Sequence, residues 1–339
     1  MEAEFAREVL SRLPLAEAVL SLWRWVADPL FLLSVFARHR GAGYEKEISF
    51  GVVVQLIADA LLEHQGSGKK SFERGQEQGL LTASVQAVYQ KLSRIPLGLS
   101  EAWLAESTAR LRPLYPEAAS LPLAPALREL EVIIVDGKAI KRVAKRLKPL
   151  RGRKGGVLGG KALVALELRS GLVVAMATHA DGETNEAKLV PALLPQVRAQ
   201  VRSHRLWVGD RQFCDLTQPA AFVQQDDHCL VRYHPKTPFF ADAGYLPQRG
   251  QDAHGRVWEQ DWGWLGSEKS KHRRFMRRLT LDRPGEETIV LLTDLLDATQ
   301  YPATDLLDLY LARWSIERVF QQITEVVLLQ TLFGTAPQG

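Results

Sequence analysis

The sequence predicts an α/β protein: a mixed sheet flanked by helices, preceded by an all-helical N-terminal region and interrupted by an inserted β-rich subdomain. Three observations predict it. Glu131-Val-Ile-Ile-Val-Asp136-Gly137 is a short apolar run ending on an acid, and Leu206-Trp-Val-Gly-Asp210 repeats the pattern further on. Apolar runs of that length read as buried strands. Near the C-terminus, Tyr310-Leu-Ala-Arg313-Trp-Ser-Ile-Glu317-Arg-Val-Phe320-Gln-Gln-Ile-Thr324 has a helical period instead. Its Tyr310, Arg313, Glu317, Gln321 and Thr324 fall in one polar sector, and Leu309, Ile316, Val319, Ile323 and Val327 gather on the other side.

Composition bounds the class. The chain has 339 residues, 46% of them apolar and 24% charged, as expected of a globular protein of about two domains. Lys and Arg exceed Asp and Glu by only 43 to 39, yet a sequence pI near 9.0 leaves room for a concentrated basic surface. Cys214 and Cys229 are too few for a disulfide framework, and with His228 and His234 they lack the paired spacing of a zinc site. A reducing cytoplasm fits. The opening Met-Glu-Ala-Glu-Phe has no basic segment, and the longest apolar run, Pro29 to Ala37, is too short to span a bilayer, so neither export nor membrane insertion is expected.

In chain order, residues 1–112 read as helices. Phe50, Val53, Val54, Ile57, Ala58, Leu61 and Leu62 follow one helical repeat. Thr82 is the expected cap of a second helix, striped by Val85, Val88, Tyr89 and Leu92, which stops at Ile95-Pro96; Ser100 is expected to start the next. This segment suits a helix-turn-helix offering Gln86, Gln90, Lys91 and Arg94 to DNA, or a plain helical bundle. Pro113, Pro116, Pro122 and Pro125 mark residues 113–129 as a linker.

Beyond Asp136, ten Lys or Arg and no acid lie between Lys138 and Lys161. Such a run is either a solvated loop or a polyanion-binding one. Within it Gly155-Gly-Val-Leu-Gly-Gly160-Lys161-Ala162 nearly spells a phosphate-binding loop, but Ala162 replaces the hydroxyl and an apolar strand follows where a helix is required, so nucleotide binding is rejected. Ala162 to Leu168 and Leu172 to Thr178, joined by Arg169-Ser170-Gly171, form a predicted hairpin, and Asn185 caps a helix running to about Val201. Residues 234–287 lose helical period; Trp258, Trp262 and Trp264, followed by Lys269, Lys271, Arg273, Arg274, Arg277 and Arg278, suggest the insertion.

Asp136 and Asp210 each close a strand, and ligands bind at the carboxyl ends of parallel strands. Asp-Gly is also an ordinary turn signal. With Glu317 facing them, the two would make a cage of three carboxylates, the hard donor set of magnesium or manganese; two such ions about 4 Å apart serve phosphoryl transfer.

The order Asp136-Gly-Lys, Gly-Asp210-Arg-Gln-Phe, then Tyr310-x-x-Arg313-x-x-x-Glu317 resembles the DDE transposases of bacterial insertion sequences with the Tyr-Arg-Glu-Lys signature. The resemblance covers roughly residues 130 to 339 and includes Asn185-Glu186. Thr324 departs from it, standing where the signature Lys belongs. The resemblance implies an RNase H-like catalytic domain, here 130–233 and 288–339, with the strand-rich insertion at 234–287 and a helical N-terminal domain that helps recognise transposon ends. It implies Asp136, Asp210 and Glu317 as catalytic residues binding two Mg2+ or Mn2+ ions. Tyr310, Arg313, Lys138, Lys141, Arg142, Arg151, Arg153 and Lys154 are the expected DNA contacts. The partners expected are double-stranded transposon-end and target DNA and a second copy of the chain on that DNA, with no membrane and no nucleotide cofactor; the location expected is the bacterial cytoplasm, at the nucleoid when bound. An RNase H-like nuclease, or an inactive remnant that still binds DNA, are the alternatives. Val326, Val327, Leu328, Leu329, Leu332 and Phe333 exceed what one side of a terminal helix buries, so a C-terminally truncated, poorly active frame is expected.

Overall fold

The computed structural model describes residues 15–114, 123–141, 158–202, 204–224 and 226–321. Six helices open it: α1 (Leu15–Val26), α2 (Pro29–His39), α3 (Phe50–Leu62), α4 (Gly68–Glu77), α5 (Val85–Arg94) and α6 (Leu97–Leu111). Side-chain caps start four of them in the way expected of short polar residues, Asp28 accepting from Phe31 N, Ser49 from Val52 N, Ser67 from Lys70 N and Ser84 from Ala87 N. Two expected starts are corrected. Ser84, not Thr82, caps α5, and Pro96, not Ser100, precedes α6, because proline's fixed φ suits a helix start. No single described helix is long and apolar enough to cross a membrane; α1 and α2 would reach that length only as a pair bent by 41°.

Ten strands follow in one sheet: β1 (Glu131–Lys141), β2 (Leu158–Glu167), β3 (Leu172–His179), β4 (Arg205–Gly209), β5 (His228–Arg232), β6 (Phe239–Ala241), β7 (Gln248–Gln251), β8 (Val257–Leu265), β9 (Arg274–Leu281) and β10 (Ile289–Thr293). The order across the sheet is β3-β2-β1-β4-β5-β10-β9-β8-β6, with β7 on β8. β1, β4 and β5 run parallel, and the other pairs are antiparallel. A hairpin beside a parallel trio, in the order 3-2-1-4-5, is the RNase H-like arrangement the sequence led us to expect. The strands of 234–287 continue this same sheet through the β9–β10 pairing rather than forming one of their own.

Strand alternation sorts the core into two layers. Val132 and Ile134 of β1 and Leu206 and Val208 of β4 pack on one face with Leu306, Tyr310, Ile316 and Phe320. Ile133, Val135 and Trp207 pack on the other with Leu189, Val190 and Leu193. The first face is covered by α9 (Ala303–Ala312) and α10 (Ser315–Gln321), the second by α7 (Val190–Gln200) and the short α8 (Thr217–Phe222). Buried Asp227 ties α7 to β4, accepting from Arg198 Nε at 3.0 Å, Arg205 Nη1 at 2.8 Å and Trp207 Nε1 at 3.2 Å.

The last helix is broken, which corrects the expectation of one helix from Tyr310 to Thr324. α9 ends at Ala312 and α10 starts at Ser315, and the join is bridged by tighter i→i−3 bonds, Arg313 N to Tyr310 O at 3.1 Å and Ile316 N to Arg313 O at 3.1 Å. In an unbroken helix Tyr310 and Ile316 would point about 120° apart. Here both are buried in the same apolar layer, so the polar stripe loses Tyr310 to the core. The expected apolar excess at 326–333, and Thr324, lie outside the described residues.

Candidate active site

Asp136 is not at a strand end, as expected, but inside β1, where it pairs with Val164 of β2. What ends there is the parallel pairing, whose last pair is Val135 with Gly209. Asp136 and Asp210 are therefore the side-by-side residues next after it. Alternation from Ile134 and Val208 puts both on the face covered by α9 and α10. Asp210 also caps the turn Arg211–Phe213, its carboxylate accepting from Gln212 N at 2.8 Å.

Glu317 reaches Asp136 through a third residue. Arg313 Nη1 lies 3.8 Å from Asp136 Oδ2, and Arg313 Nη2 lies 3.6 Å from Glu317 Oε1. Asp136 is mostly buried and Glu317 nearly half exposed. Burial pushes the Asp136 carboxyl up to about 6, against the pull of Arg313 and the Gly137 N–H; the charges of Asp210 and Glu186 push it further up. Burial likewise raises the Tyr310 phenol, with Arg313 and Arg232 opposing. Lys138 is exposed, its ammonium 5.6 Å from the Phe320 ring. Arg142, Arg151, Arg153 and Lys154, and the side chain of Lys141, lie outside the described residues.

On the opposite face of β1 stands a residue that sequence reasoning used only to open a helix. Glu186 is 5% exposed, and its Oε1 accepts from Lys161 Nζ at 3.0 Å. It lies so close over Gly137 that a Cβ there would meet Glu186 Cδ at 2.0 Å. The available signal was the glycine itself, since a glycine inside a strand often marks such an approach.

The donors suit a hard divalent cation: Asp136 and Asp210 set carboxylate oxygens side by side on one face, and burial of Asp136 leaves a charge there that a cation would stabilise. Among the described residues no three acids stand within reach of one ion, because the Arg313 guanidinium lies between Asp136 and Glu317.

Residues 128–331 match the family model of the transposase DDE domain, a span that includes Asp136, Asp210, Arg313 and Glu317. The chain belongs to that family. No curated protein sequence matches it. Six chains of solved structures match, among them a piggyBac transposase synaptic complex with hairpin DNA, at 10% identity over 93% of this chain and 72% of that one. The TM-score is 0.41, too loose a superposition to locate a site. In this DDE-domain chain the sheet brings the two aspartates together directly, and the broken helix brings the glutamate to Asp136 only by way of Arg313.

Proposed function

We propose that the chain is an insertion-sequence transposase that cleaves DNA at transposon ends and joins the freed end to target DNA. The observation that carries this reading is the placement of Asp136 and Asp210 side by side on the face where Arg313 links Asp136 to Glu317. Asp136, Asp210 and Glu317 would hold two magnesium or manganese ions, which when bound activate the attacking oxygen and stabilise the leaving one. Asp136 is oriented by its own Gly137 N–H, at 2.9 Å, and Asp210 by Gln212 N. Arg313 engages the phosphates of the DNA end, since it is not a hard-metal ligand, while Tyr310, expected beside it at the DNA, is buried in the core and backs the guanidinium instead. Water attacks first and a 3′-hydroxyl second, each displacing an oxygen at phosphorus. The division of labour that goes with this reading is a helical DNA-recognising domain (1–112), a linker (113–129), the catalytic domain (130–233 and 288–339) and the insertion (234–287).

Asp136→Asn, Asp210→Asn and Glu317→Gln should each abolish magnesium-dependent cleavage and strand transfer on a substrate bearing the element's inverted repeats, while DNA binding and folding stay near normal. Retained cleavage in any one removes that acid from the site. Cleavage without joining of a 3′-hydroxyl would make the protein a nuclease.

A further inference from the structure

Arg313 occupies the place of a cation, but it is held loosely. Its contacts with Asp136 and Glu317, at 3.8 and 3.6 Å, are longer than hydrogen bonds, so charge rather than directed bonding holds it to the two carboxylates, while Tyr310 accepts a side-chain hydrogen bond from it. The residue is 7% exposed, yet its Nε has no hydrogen-bond partner among the described residues. A guanidinium cannot shed its proton to escape burial. Leaving one of its donors unpaired is a costly way to build a purely structural ion pair. Its flat faces lie near the Tyr310 and Trp314 rings, with centroids at 5.5 and 5.7 Å, and Trp314 is 55% exposed, so the side chain sits next to an open surface. It also falls at the break between α9 and α10, the one place in this element where the backbone is not tied into regular helix.

We propose that Arg313 is an exchangeable counter-ion: it holds Asp136 and Glu317 apart from any divalent cation until a DNA phosphate draws the guanidinium away, which makes metal binding depend on DNA. This rests on the assignment of Asp136 and Glu317 as metal ligands. A phosphate offers the guanidinium the paired, short, charge-assisted bonds that it lacks between the carboxylates. Its departure uncovers both acids together. Linkage is reciprocal, so the metal must tighten DNA binding by the same factor by which DNA tightens metal binding.

The test is a calorimetric titration of the full chain with Mn2+, alone and with a saturating 20-base-pair duplex of arbitrary sequence. In the wild type the duplex should tighten Mn2+ binding at least tenfold. Arg313→Met keeps an unbranched stem between the two rings and removes the charge; without DNA it should bind Mn2+ at least tenfold more tightly than wild type, and the duplex should then add less than threefold. Arg313→Gln gives the same comparison should the methionine variant fail to fold. Arg232→Met removes a neighbouring cation that is paired with Glu287 at 2.8 Å, and it should leave the tenfold effect of DNA intact. The proposal is overturned if Arg313→Met binds Mn2+ no more tightly than wild type, if it keeps the full response to DNA, or if Arg232→Met matches it. An Asp136→Asn arm separates the two levels. If that variant loses Mn2+ while Arg313→Met behaves as wild type, the metal site stands and only the counter-ion role fails; if it binds Mn2+ as wild type does, both fail.

Discussion

Asp136 shows how the surroundings of one carboxyl set the working conditions of the site. Its raised value, about 6 against an ordinary 3.8, comes first from burial. The native state therefore binds a proton more readily than the unfolded chain between those two values, and unfolding free energy falls as pH rises through that window. Above about pH 6 the full cost of the buried charge is present; the shift sets its scale at roughly 2 to 3 kcal/mol. With a chelator present, Asp136→Asn should be more stable than wild type at pH 8 by about that amount, and the gap should close as pH falls toward 4. Urea denaturation across that range measures it. A gap independent of pH would show that the charge at this position costs nothing. Proton and divalent cation compete for the same oxygens, so Mn2+ affinity should weaken below pH 6 in step.

Between elements, the close contact is the one where β1 crosses the turn that begins α7. Gly137→Ala would drive a methyl into Glu186, whose carboxylate is held by its ion pair with Lys161. Overpacking of this kind costs about 1 to 3 kcal/mol. The double variant Gly137→Ala, Glu186→Ala should recover part of that loss, a coupling that equilibrium unfolding of the four proteins detects; additive losses would mean that the two do not meet. The pairing of β1 with β4 was legible in the sequence because apolar runs ending in an acid carry both strand type and face. The hairpin was legible from its turn residues. The break at Arg313-Trp314 was not, since neither residue is a helix breaker. Tyr310 read as part of a polar stripe, when burial and not periodicity decides where a tyrosine goes. Glu186 was legible as a helix opener but not as a neighbour of the site, because its position depends on the far face of the sheet.

Across the whole molecule, Arg277 joins Trp262 and Arg256 in tying the added strands to α9 and the segment that leads into it. Arg277 of β9 is fully buried, and burial lowers its pKa to about 10. It donates to Gln260 Oε1 at 2.8 Å and to the carbonyls of Tyr301, at 2.7 Å, and Leu295, at 3.4 Å, on the segment that leads into α9. Arg277→Ala would strand these acceptors, each worth about 1 to 3 kcal/mol when left unpaired. A stability loss of about 3 kcal/mol or more is expected by urea unfolding, and a loss below about 0.5 kcal/mol would show that the carbonyls find other donors. The order of the strands has a further consequence, for the chain as it is being made. β1 and β2 are neighbours in sequence and can zip together as they leave the ribosome. β4, which sets the second aspartate beside the first, must close over everything between, and α10 emerges later still. The nascent chain thus carries its acids apart for most of its synthesis. Any chemistry that needs Asp136, Asp210 and Glu317 together must therefore wait until α10 has left the ribosome.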